Sequence, residues 1–141
     1  MTDTATDGAG IVGALLRSYA PLTGLVALSS IKRSRLPDGV ALPALVVAEV
    51  SQIERAPLVR GASVRTVDRV AVTGRFESDR QRTLIMQMVK DACAGKVGTI
   101  AGMMNVAIRP AGRGPDLDGP GDSFEKTQDF RVSYDAPTSL A

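Results

Sequence analysis

The chain has 141 residues, 44% of them apolar and 23% charged, with 17 Lys and Arg against 15 Asp and Glu. That length suits one domain able to bury ~65–70% of the surface its unfolded chain exposes. It contains no histidine and one cysteine, Cys93, which removes His-based acid–base work, Ser–His and Cys–His nucleophile pairs, nearly all zinc sites and any intrachain disulfide.

The first seven residues are small and polar. They lack the basic and apolar segments of a signal peptide and are expected to be a flexible tail. Over residues 8–19, Ile11, Val12, Leu15, Leu16 and Tyr19 fall on one face of a helix, with Asp7 as its N-cap. Pro21 ends that helix or opens a short turn over 21–24. Residues 26–32 are expected to form a short strand. The stretch SRLPDGVALPALVVAEVS, residues 34–51, then sets a loop between two prolines before an apolar run. Pro37-Asp38-Gly39 has turn chemistry, and Pro43 favours extended backbone at Leu42. Leu45, Val46, Val47 and Val50 predict a strand over 44–51, and residues 52–61, with Pro57, a polar connection.

Residues 65–76 alternate: Val70, Val72 and Phe76 on one face, Arg69, Thr73 and Arg75 on the other, with Gly74 marking a bulge. Ser78-Asp-Arg-Gln81 is a capping box. Leu84, Ile85, Met88, Val89, Ala92 and Cys93 follow as the apolar stripe of a second helix, stopped by Gly95. Two further strands are expected, over 104–109 and 130–135. Between them AGRGPDLDGPGD, residues 111–122, reads as a long irregular loop, and 136–141 as a flexible tail. The result is an α+β fold with a core over about residues 8–135. It has a single antiparallel or mixed sheet of about four to five strands, with two helices packed on one face. No stretch approaches the ~20 apolar residues that span a bilayer.

No constellation for catalysis emerges. Gly8-Ala-Gly10-Ile-Val-Gly13 matches G-x-G-x-x-G, but polar residues precede it and the next acid is Asp38, so a closely packed helix start explains it better than a nucleotide. Asp116, Asp118 and Asp122 lack the ligand pattern of an EF-hand loop, and a solvated hairpin loop accounts for them. Cys93 sits on the apolar stripe, where a free thiol behaves as a small hydrophobe. Met88 and Met104 are expected to fill core space, although Met86, Met88, Met103 and Met104 together would suit an adaptable binding surface. No metal or cofactor is implied. The net charge is +2 and no basic run exceeds Lys32-Arg33, so the basic stripe with stacking aromatics of a nucleic-acid binder is missing. The arginines are spread over polar strand faces. Each is explained by solvation, yet as a set they suit protein interfaces.

The order of four segments resembles a known family. ALLRSYAPLTGLVAL, RLPDGVALPALVV, DRVAVTGRFESDRQRTLIMQMVKDAC and TQDFRVSY are similar to the tail-completion, or tail-terminator, proteins of long-tailed bacteriophages, prophages and gene-transfer agents. VTGRF departs from the more hydrophobic, aromatic strand of that pattern. The resemblance implies a non-enzymatic virion protein at the head–tail junction, assembled in the bacterial cytoplasm. Its subunits form a homo-oligomer, a hexameric ring that caps the tail tube, ends its polymerisation and meets the head connector or stopper protein. DNA passes through the lumen without specific binding, and no membrane is involved. On this reading the assembly-interface candidates are Arg35, Leu36, Pro37, Asp38, Leu42, Arg60, Arg113, Asp116 and Asp118. The alternatives are a head-completion or neck protein of the same particle and a cytosolic ligand-binding regulatory domain.

Overall fold

The first helix starts where its cap dictates. In the computed structural model, which describes residues 6–37, 39–55 and 61–137, the Asp7 carboxylate accepts from the Gly10 N–H at 3.0 Å and opens α1, Gly8–Ser18. Its apolar face buries Ile11, Val12 and Leu16. Tyr19 breaks it in extended backbone, and Pro21 sits in the first turn of a separate four-residue helix α2, Ala20–Thr23. The expected strand over 26–32 divides into a 3-10 turn, Leu28–Ser30, and strand β1, Ile31–Arg33.

The best-capped helix is α3, Asp79–Cys93. The Ser78 hydroxyl accepts from the Gln81 N–H at 3.1 Å, while the Gln81 carbonyl accepts from the Glu77 N–H at 2.8 Å, one residue before the position a capping box uses. Its buried stripe is Arg82, Ile85, Met86, Val89, Ala92 and Cys93. Leu84 is exposed instead, so the stripe is rotated from the expected one and takes in a charged residue. Gly95, at φ 77°, turns the chain out.

Seven strands form one mixed sheet, where about four to five were expected. They are β1, β2 (Ala44–Arg55), β3 (Ser63–Phe76), β4 (Val97–Ile100), β5 (Met103–Arg113), β6 (Leu117–Asp118) and β7 (Phe124–Pro137). The order across the sheet is β1-β2-β3-β7-β5-β4, and β6 pairs with the start of β7. The β1–β2 pair is parallel and all others are antiparallel. The extra strands are β4 and β6, short and mostly exposed. They bury no alternating face, so no period of two marks them. The polar run after Ser51 continues β2 to Arg55 because it pairs with β3. Part of 111–122 is likewise regular. Strand β5 runs through Arg113, Leu117–Asp118 is β6, and Pro120–Asp122 is a 3-10 turn.

Strand β3 alternates without interruption from Val64 to Phe76. Gly74 carries no bulge: it pairs with Leu45 and Lys126, and the irregularity lies on β2 between Glu49 and Ser51. A side chain at Gly74 would overlap the Phe76 ring, so the glycine makes room rather than bending the strand. All three helices cover one face of the sheet. Ile11, Leu16, Leu22, Ile85, Met86 and Val89 join Leu45, Val47, Val70, Val72, Phe130 and Val132 in a single cluster. Each large aliphatic side chain buried there contributes ~1.5–3 kcal/mol. In β5 the core position falls to Met103, while Met104 is exposed. Among the described residues no helix is long and apolar enough to cross a membrane.

Candidate functional site

The sheet register brings the two loops singled out in the sequence to one end of the molecule. Ala44 pairs with Arg75, Arg75 with Glu125, and Glu125 with Leu117. The loop before Ala44 and the acidic loop around Leu117 therefore flank one row of four strands, ~15 Å across at the usual strand spacing. Arg35 and Pro37 are exposed, and Leu36 and Leu42 half-buried. Backbone and side-chain bonds pin this loop: Ser34 N–H to the Val47 carbonyl, 2.9 Å, and the buried Ser30 hydroxyl to the Ala41 carbonyl, 2.9 Å. The Leu42–Pro43 peptide is cis. Arg33 pairs with the helix-capping Asp7. Burial raises the Asp7 carboxyl, but Arg33 and the Gly10 N–H outweigh it and hold the pKa below its ordinary value. Asp38 and Arg60 lie outside the described residues.

The acidic loop is held by Arg82. This guanidinium is 7% exposed. It donates to Asp79 Oδ1 at 2.5 Å and to the Leu117 and Glu125 carbonyls at 3.0 and 3.4 Å, and it stacks 5.3 Å from the Phe124 ring centre. Asp116 lies 3.5 Å from Arg82 and 2.5 Å from Lys126 Nζ, and its bond to Lys126 keeps its pKa below the ordinary carboxylate value. Among the described residues Asp118 and Asp122 make no ion pair, and Leu117 is 51% exposed between Asp116 and Asp118. Arg113 belongs to a different contact, donating to Gln128 Oε1 at 2.9 Å. Arg82 was missed as an anchor in the sequence, although it begins the 82, 85, 86, 89 spacing of the buried stripe.

Across the sheet's uncovered face, β3 and β7 carry a charge ladder. Arg65 meets Asp135 at 3.1 Å, Arg69 meets Asp129 at 2.7 Å and Arg75 meets Glu125 at 2.7 Å. Arg69 lies directly opposite Arg131 and turns to Asp129, the diagonal neighbour. Arg131 also lies opposite Arg109 of β5. Neither Arg131 nor Arg109 has an ion-pair or hydrogen-bond partner among the described residues, and both are exposed. With Arg55 and Arg65 they rim a cavity of about 570 Å³, floored by Ile53, Val67 and Ala107.

A third polar cluster lies inside. Asp68 is fully buried, and its Oδ2 accepts from the Gly8 N–H and the Tyr134 hydroxyl, each at 2.7 Å. Gly8 permits this approach, since a Cβ there would stand 2.7 Å from the Asp68 Cβ. The G-x-G-x-x-G stretch is thus a helix start packed on a carboxylate, which also favours the positive end of α1. The tyrosine is pushed up in pKa by burial and by Asp68. Glu49, at the bulge, loses hydration beside Asp68 and Asp7 and is pushed up to about 7. Cys93 is buried, and its thiol is pushed up to about 12. Among the described residues no cluster of His, Cys, Asp and Glu is arranged to hold a metal ion.

No protein-family model matches the chain, and a search of curated proteins finds no match. Among solved structures the fold is similar to a chain in the virion of a native gene transfer agent particle. The TM-score is 0.68 over 92% of this chain and 95% of that one, at 14% identity. At that identity the likeness is one of fold, shared nearly end to end.

Proposed function

We propose that this chain is a structural protein of a phage-like virion. In this reading it caps the head-proximal end of the tail tube as a ring, ends tube polymerisation and joins the tail to the head connector. The observation that carries the proposal is the fold likeness to a gene transfer agent virion chain across 92% of the sequence. It agrees with the ordered segments that resemble tail-terminator proteins. The chemistry of the chain points the same way. Without histidine, and with its single thiol buried and pushed up to about 12, it offers neither a His-activated nor a thiolate nucleophile. The surface offers loops fastened at both ends, and preformed contacts lose little ordering entropy on assembly.

A ring needs two different complementary surfaces on each subunit. Electron microscopy of the purified protein, alone and mixed with tail-tube subunits, tests the reading. The expected result is a ring with a central pore that ends each tube. A protein that stays monomeric throughout and leaves tube length unchanged would refute it, and would favour a cytosolic regulatory domain. Labelled protein found on the head side of the connector would instead identify a neck protein.

A further inference from the structure

We infer that the arginine-rimmed cavity on the uncovered sheet face receives the acidic loop of a second copy of this chain, centred on Leu117, Asp118 and Asp122. The inference rests on the ring reading above and specifies the contact that would build the ring. The cavity has an apolar floor, Ile53 and Val67, beneath Arg55, Arg109 and Arg131. Arg109 and Arg131 lie directly opposite each other on neighbouring strands, and Arg131 faces Arg69 on its other side. Like charges in register repel. Of Arg55, Arg65, Arg69, Arg109 and Arg131, only Arg65 and Arg69 have a carboxylate partner among the described residues. The surface is therefore short of anions where its apolar floor is most open: Ile53 is 61% exposed.

The acidic loop has the complementary chemistry. An exposed leucine stands between two aspartates, and Asp118 and Asp122 have no ion pair among the described residues. Arg82 and Lys126 fasten the base of the loop through Asp116 and the Leu117 carbonyl, which leaves its tip presented and stiff. The two surfaces cannot meet within one subunit. The loop pairs with β7 at Phe124 and Glu125, while the cavity adjoins β7 at Arg131 and Ser133. Six to nine residues of strand separate them, ~20–30 Å. Complementary patches at separate places on one subunit make head-to-tail contacts, which close into rings or run on as filaments. Carboxylates entering between guanidiniums would relieve the repulsion while Leu117 covers Ile53.

Charge reversal tests this in the full chain. D118K/D122K and R109E/R131E change exposed residues, and circular dichroism of each checks the fold. By native mass spectrometry and sedimentation, each variant alone is expected to associate about a hundredfold or more weakly than the wild type. An equimolar mixture is expected to reassemble, because one contact is then native and the other is charge-swapped. If the wild type forms rings and both variants do so equally well, this contact is wrong and the ring reading stands. If the wild type stays monomeric at every concentration, alone and with tail-tube subunits, both are wrong. A single-stranded oligonucleotide provides the third arm. Binding that R109E/R131E abolishes while ring formation is unaffected would make the cavity a nucleic-acid face and overturn the proposal.

Discussion

At the end of the sheet where Ala44, Arg75, Glu125 and Leu117 stand in one row, arginine is structural. Arg75 has Glu125, and Arg82 is buried among an aspartate, two backbone carbonyls and a phenylalanine ring. Midway along the uncovered face, Arg109 and Arg131 have the same side chain, lie in register, and have no ion-pair partner among the described residues. Residue type is shared, so the difference comes from position. Arg82 sits on the buried stripe of α3, where an unpaired charge would be intolerable. Arg109 and Arg131 are exposed on the uncovered face of the sheet, where water solvates them. Arg75 and Arg82 have found partners inside the chain, and Arg109 and Arg131 have none among the described residues.

The contrast breaks most directly at Arg82. Replacing it with methionine leaves Asp79 and two carbonyls without their donor, and is expected to lower stability by about 2–3 kcal/mol. Denaturant unfolding reads that loss, and hydrogen exchange should quicken over residues 114–123. Unchanged exchange there would mean that Arg82 does not hold the loop. Gly8→Ala drives a methyl group into Asp68. We expect a loss of about 1–3 kcal/mol from overpacking, read as a lower denaturant midpoint at pH 7.

A smaller effect is expected from Glu49 as pH changes. Its folded pKa of about 7 lies above the ordinary 4.5. Between those values the native state keeps a proton that the unfolded chain has released. This contribution to stability is therefore present in full below about pH 4.5 and lost as pH rises through 7. Unfolding midpoints at pH 5 and 8 should differ less in Glu49→Gln than in the wild type; an equal difference removes Glu49 as the cause. The smallest effect belongs to the uncovered face. Arg131→Met should change monomer stability by no more than ~0.5 kcal/mol, since no internal partner is lost. A loss as large as that of Arg82→Met would show that both arginines are structural.

Short-range signals were legible in the chain. Asp7 and Ser78 marked helix starts because a cap acts within three residues. Alternation placed Val70, Val72 and Phe76 inward, and the same period puts Asp68 on that face. The loops before Ala44 and around Leu117 also stood out by their proline, glycine and aspartate content. Whether those loops meet was not legible, nor was which arginines are paired. Arg65 and Asp135 are 70 positions apart, and Arg82 and Leu117 35 apart.

What the amino-acid order determined by itself is the set of long elements: two capped helices, the cores of four strands, an aromatic-poor interior and the absence of histidine chemistry. The tertiary structure alone decided that β7 runs between β3 and β5, that short exposed segments complete the sheet as β4 and β6, and that Arg75 and Arg82 find partners while Arg109 and Arg131 face each other in register. The physical reason is range. Caps and periodicity are set by neighbours along the chain, whereas cross-strand register, and with it the partner of every arginine, is set by residues that only folding brings together.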